Sequence, residues 1–210
     1  MLFPPDEPLG DLFDKPTYLP PYDSPIEDIF AYHVVKYLAA DAKMQPQHPI
    51  KTAAGDFILD FMLEGGGSSI GVECDGKAYH NAYRDDWRDA LILGTGRVVA
   101  IYRFSGRILS YHIDDCLTLM ARWDSHLFSH RGLLNLETLT SEEVRTADFQ
   151  AEDSVAFIRY EDRPNERVFD EMVSRRSLDR VGYRWRSYIA RAAQYPGRAL
   201  DEIIALEKSK

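Results

Sequence analysis

Ile70-Gly71-Val72-Glu73-Cys74-Asp75-Gly76-Lys77-Ala78-Tyr79-His80 decides how the rest of the chain is read. Val72 and Cys74 alternate with Glu73 and Asp75. Period-two alternation is the mark of a β-strand, whose side chains point to opposite faces in turn. Glu73 and Asp75 therefore share one face, and Val72 and Cys74 share the other. Two carboxylates on one face of an apolar strand repel each other. A fold keeps such a pair where a cation, a proton or a substrate relieves the repulsion.

A second acidic strand precedes it, Gly55-Asp56-Phe57-Ile58-Leu59-Asp60-Phe61-Met62-Leu63. The same alternation puts Asp56, Ile58 and Asp60 on one face and Phe57, Leu59 and Phe61 on the other. Gly65-Gly66-Gly67-Ser68-Ser69 is a turn sequence, so the two strands pair as an antiparallel hairpin that brings Asp60 towards Glu73. Magnesium favours a few carboxylate oxygens and keeps water at its other positions, so this arrangement suits a divalent metal. Asp56 reads more simply as a turn residue. Glu73 and Asp75 have an alternative too, as partners of Arg88 or Arg103 in a buried ion network.

Asp60-Phe61, Glu73-Cys74-Asp75-Gly76, His80, Asp85 with Arg88-Asp89, Gly96 and Arg103-Phe104 together resemble the PD-(D/E)XK nuclease superfamily, and within it the very-short-patch-repair-like endonuclease domains. The resemblance runs from Ser24 to Phe128. It implies an α/β fold with a restriction-endonuclease-like core: a helix, a three-strand meander, a helix, a strand and a helix. It implies a Mg²⁺- or Mn²⁺-dependent endonuclease acting on DNA, with Asp60, Glu73 and Asp75 as metal ligands and Glu27 of the first helix facing them. Asp75 stands where the motif lysine normally stands. Lys77, one strand repeat later, and His80, after the glycine, are the two groups that can supply what that lysine supplies. The resemblance favours His80.

Outside this centre the chain divides into an extended arm over 1–23, the endonuclease-like core over 24–130, a connector over 131–153, and a strand with a mostly helical extension over 154–210. The arm holds six prolines. Ser24-Pro25-Ile26-Glu27 is a helix start, with Ser24 as N-cap and Glu27 where a capping box wants it. Glu27 thus has a capping role as its plain alternative. Strands are expected over 45–52, 97–104 and 154–160. Helices are expected over 83–93 and 113–128, and from Arg163 onward, where Val168, Phe169, Met172 and Val173 fall at helical spacing.

The 210 residues are 45% hydrophobic, ample for a packed core, and hold no apolar run long enough for a membrane span. The N-terminus has no secretion signal, and Cys74 and Cys116 read as reduced thiols of a cytoplasmic protein. A net charge of −9 argues mildly against a nucleic-acid binder, but Met172 to Arg198 is arginine-rich. Arg84, Arg88, Arg184, Trp185 and Arg186 are the candidate DNA contacts, with the run Tyr183 to Tyr188 either stacking on bases or forming a core helix with a basic outer face. Two other functions fit the same sequence. One is a nuclease fold that binds nucleic acid without cutting it, which the Asp75-for-Lys change favours. The other is a protein-interaction subunit of a repair or defence assembly, with a protein partner or a second copy of the chain.

Overall fold

Ser24 opens the first helix as its sequence directs. Its backbone is extended at φ −143°, and its Oγ accepts from the Glu27 amide and donates to Glu27 Oε1 at 2.7 Å. The helix α1 (Pro25–Val34) buries Phe30, Ala31 and Val34. The computed structural model describes residues 16–76, 82–148, 155–163, 166–176 and 183–209, with backbone alone for 161–163, 166–168, 183 and 184.

Strands β1 (Lys43–Thr52), β2 (Gly55–Gly65) and β3 (Ser68–Asp75) form the expected antiparallel meander. The β2–β3 turn is narrower than its sequence, because Gly65 already pairs with Ser68. Its two central residues, Gly66 at φ 53° and Gly67 at φ 81°, occupy the left-handed conformation that such a two-residue turn requires and glycine adopts without strain. Helix α2 (Ala82–Gly94) then carries the chain over the sheet to β4 (Ala100–Ser105), which lies parallel to β3. Ala100 to Phe104 are all buried, as both faces of a parallel pair demand.

The rest differs from the sequence reading. Residues 113–128 are not one helix: α3 (Gly106–Tyr111) and α4 (Ile113–Trp123) precede a 3₁₀ turn at Ser125–Leu127. The connector over 131–153 carries α5 (His130–Leu139) and α6 (Glu142–Thr146), each capped by a serine, Ser129 and Ser141. The chain after Arg163 is not helical at first. It forms β6 (Glu166–Arg176), paired with both β4 and the preceding β5 (Val155–Arg163). Helices α7 (Tyr183–Ala192) and α8 (Leu200–Lys208) then close the described chain as expected.

The result is a mixed α/β fold with a six-stranded, mostly antiparallel sheet in the order β1-β2-β3-β4-β6-β5, and eight α-helices among the described residues. One face packs against α1 and α3–α6 through Phe30, Phe61, Val72, Phe104, Leu117 and Met120. The other packs against α2, α7 and α8 through Leu59, Trp87, Ile101, Trp185 and Ile203. A buried triad ties the first face together. The Tyr102 hydroxyl donates to Asp124, and Arg176 donates from Nη1 to Tyr102 Oη at 2.9 Å and from Nη2 to both Asp124 oxygens at 2.8 and 2.9 Å. Among the described residues no helix is long and apolar enough to cross a membrane. Cys74 and Cys116 are free, buried thiols.

Candidate functional site

The ladder between β2 and β3 runs from Gly65 opposite Ser68 to Phe61 opposite Val72, and stops there. The next pair would be Asp60 and Glu73. Instead the Cys74 amide donates to Asp60 Oδ2 at 2.7 Å, so a side chain takes the place of a ladder bond. On the other side of β2, the register pairs Pro46 with Phe61 and His48 with Leu59 and skips Gln47, which sits at φ 49°. The alternation of β2 changes phase at the same point. Leu59 packs on the α2 face and Phe61 on the α1 face, where strict alternation puts them together. The strand turns over at Asp60, which is what an irregular ladder on both sides permits.

Gln47 uses this irregularity to donate from Nε2 to Glu27 Oε2 at 3.0 Å. Glu27 therefore both caps α1 and takes a bond from β1. It is buried, held by Ser24 and Gln47, and close enough to raise the proton affinity of Asp60. Burial, with the charges of Glu27 and Asp75 adding to it, pushes the Asp60 carboxyl up to about 6, against the lowering effect of the Cys74 amide and Arg88.

Glu73 and Asp75 share a face, as their spacing requires, and that face looks towards α2. Arg88 Nη1 donates to Glu73 Oε2 at 3.0 Å. Its Nη2 lies 2.8 Å from Oε1, but at an angle that makes no hydrogen bond, so Oε1 is buried without a donor. Arg88 also donates to the carbonyl of Ile58. Burial pushes the Glu73 carboxyl up to about 8 in spite of Arg88 and Arg103. Arg103 Nη1 reaches both Asp75 oxygens at 3.1 and 3.2 Å, and its Nε and Nη2 clasp Asp89 at 2.8 and 2.7 Å. Asp89 is fully buried, and burial alone would raise its pKa. Arg103, then Arg175, outweigh that and hold it below the usual carboxylate range. Among the described residues, no three His, Cys, Asp or Glu side chains stand together as the ligand set of one ion. The ion-network alternative for Glu73 and Asp75 is thus present in the structure, and it engages both arginines named for it.

The remaining expected contacts divide. Lys77 and His80 lie outside the described residues. Arg84 pairs with Asp201 at 2.8 Å on the surface, and Arg88 points inward to Glu73. Trp185 is 1% exposed and packed in the core beside Trp87 and Ile203, so it offers no face to a base, a correction to the stacking role expected for it. Arg186 is exposed on α7, and the side chain of Arg184 lies outside those described. Of the described arginines between Met172 and Arg198, Arg186 and Arg198 are exposed and Arg191 half-buried, and two are internal. Arg175 and Arg176 are buried in ion pairs, Arg191 lies 4.9 Å over the rings of Trp87 and Tyr188, and Arg198 pairs with Glu202 at 3.1 Å. Sequence reasoning gave no role to Gln47 or Asp86, named Asp89 only within the nuclease-like series, and counted Arg175 with the basic stretch. Asp86 and Asp89 at helical spacing beside Arg88 were the available signal.

A pH effect follows. The folded chain keeps a proton on Glu73 between its ordinary pKa of 4.5 and about 8, where an unfolded glutamate has lost it. The folded state then binds more protons, so stability falls as pH rises across that window. Glu73→Gln removes the dependence. Urea unfolding at pH about 5 and about 9 should show a shallower loss in the variant than in the parent chain. An equal loss in both would assign the dependence to other groups.

Comparison with protein-family models, with curated proteins and with solved structures finds no match to this chain.

Proposed function

We propose that the chain is a Mg²⁺- or Mn²⁺-dependent endonuclease that hydrolyses DNA phosphodiester bonds, with a restriction-endonuclease-like core. The order of a capped helix, a three-strand meander, a crossover helix and a parallel strand supports this reading. The observation that carries it is the split between β2 and β3. There Asp60, half-buried, and Glu73, buried, are carboxylates of raised proton affinity, and Glu73 Oε1 has no well-aligned hydrogen-bond donor. Carboxylates whose burial favours the protonated form suit a hard divalent cation, which would replace that proton.

Asp60 and Glu73 would hold the ion, with Asp75 beside them. A bound ion lowers the pKa of its water and offsets charge on the phosphate oxygens. Gln47 and Ser24 hold Glu27 towards Asp60. The Cys74 amide fixes the Asp60 carboxylate by binding Oδ2, and among the described residues Oδ1 takes no hydrogen bond. Asp75, half-buried and oriented by Arg103, would stand beside the ion as a further ligand or as the base. Arg88 brings a positive charge to Glu73.

The Arg88–Glu73 and Arg103–Asp75 pairs favour a second reading, a nuclease fold that binds nucleic acid without cutting it. Incubation of supercoiled plasmid with the protein separates the two. Nicking or linearisation in Mg²⁺ or Mn²⁺, stopped by chelation, is the expected result. Retarded but intact DNA with either metal would establish the second reading instead.

A further inference from the structure

We infer that Asp89 and Arg175 are positioning residues of the candidate centre, holding Asp75 in place through Arg103; this rests on the endonuclease reading above. Arg103 divides its guanidinium between two carboxylates. Nε and Nη2 form a two-pronged grip on Asp89, and only Nη1 is left for Asp75. A planar fork bonded on one edge has no freedom to rotate on the other, so Asp89 sets where Asp75 is held. Asp89 is itself fixed from β6, where Arg175 Nε lies 3.2 Å from its Oδ2. Arg175 Nη2 reaches Asp86 Oδ1 at 3.1 Å, and the Tyr188 hydroxyl of α7 donates to Asp86 Oδ2 at 3.4 Å.

A chain of charge-assisted bonds thus runs from α7 through β6 and α2 to β4 and the end of β3. Its C-terminal members lie beyond Phe128, outside the stretch that resembles a nuclease. The segment is therefore part of the centre's framework. Its alignment comes from the sheet: Ile101 pairs with Arg175 and Glu73 with Arg103, which places Arg175, Arg103 and Glu73 on the face that α2 covers. Packing alone does not call for this arrangement, since apolar residues of similar volume fill such a space at least as well.

Asp89→Asn keeps the shape and removes the charge. Calorimetric titration with Mn²⁺ alone should show affinity lower by about tenfold, the scale on which partners behind a metal's ligands act. Cleavage should lose kcat with KM for DNA unchanged, and the Arg103 Nε–Hε resonance should lose its protection from solvent exchange. Arg175→Gln should act in the same direction and Arg175→Lys should recover part of the loss, which keeps the test open where Asp89→Asn does not fold. Unchanged Mn²⁺ affinity in folded Asp89→Asn or Arg175→Gln would overturn the positioning role. Should the parent chain bind no Mn²⁺, the endonuclease reading fails separately, and the Arg103 resonance decides: unchanged protection in the variants overturns the proposal, and lost protection upholds the chain of contacts as far as Asp75.

Discussion

Asp60→Asn is expected to cut Mg²⁺-dependent plasmid cleavage by about a thousandfold or more, the several kcal/mol that a metal's charge stabilisation supplies. The amide keeps the size of the carboxylate and can still accept from the Cys74 amide, so the fold should survive. It cannot offer an anionic oxygen to a cation. Glu73→Gln should have the same effect on cleavage while raising stability above neutral pH, because the neutral amide is spared the burial that pushes the Glu73 carboxyl up to about 8. Loss of activity with a gain in stability is what a charged functional residue gives, and a residue that serves packing gives the reverse. Plasmid assays and urea unfolding of the two variants read both quantities. Cleavage at the parent rate in either variant would remove that residue from the site.

Asp124→Ala is the substitution expected to cost most stability, about 3–5 kcal/mol. Arg176 is 1% exposed, and both bonds from its Nη2 go to Asp124. Removing the carboxylate leaves a buried guanidinium with the Tyr102 hydroxyl and the Ser174 side chain as its remaining acceptors among the described residues. Domains are commonly stable by only about 5–15 kcal/mol, so the urea midpoint should fall steeply. The double change Asp124→Leu with Arg176→Met should recover much of the loss, since it removes the charge along with its partner. A single variant as stable as the parent would show that the triad contributes little.

Local chemistry made the first half of the fold legible. Glu73 and Asp75 announced a strand face by period two, and the glycines after Glu64 announced the turn. The apolar run before β4 then placed a helix between two strands, which fits a parallel crossover. β6 was hidden because its buried stripe is Asp170, Met172, Ser174 and Arg176. Three polar residues face inward there, and the apolar residues that remain, Val168, Phe169, Met172 and Val173, fall at helical spacing by coincidence. Helix α5 was hidden because its apolar stripe is weak: Leu136 is buried, while Leu134 and Leu139 are exposed. At the candidate site, Asp60, Glu73 and Glu27 could be proposed from residue type, position and the resemblance. The turn-over of β2 at Asp60 could not, since alternation says nothing about where a ladder breaks. The grip of Asp89 on Arg103, and of Arg175 on Asp89, depends on elements brought together only by the sheet order.

A crystal soaked in manganese and read by anomalous scattering tests the central claim most directly. The account requires one metal within about 2 Å of carboxylate oxygens from both Asp60 and Glu73, with Arg88 drawn away from Glu73 Oε1. At saturating manganese, no density between these two residues, with Arg88 still closed on Glu73, would contradict it.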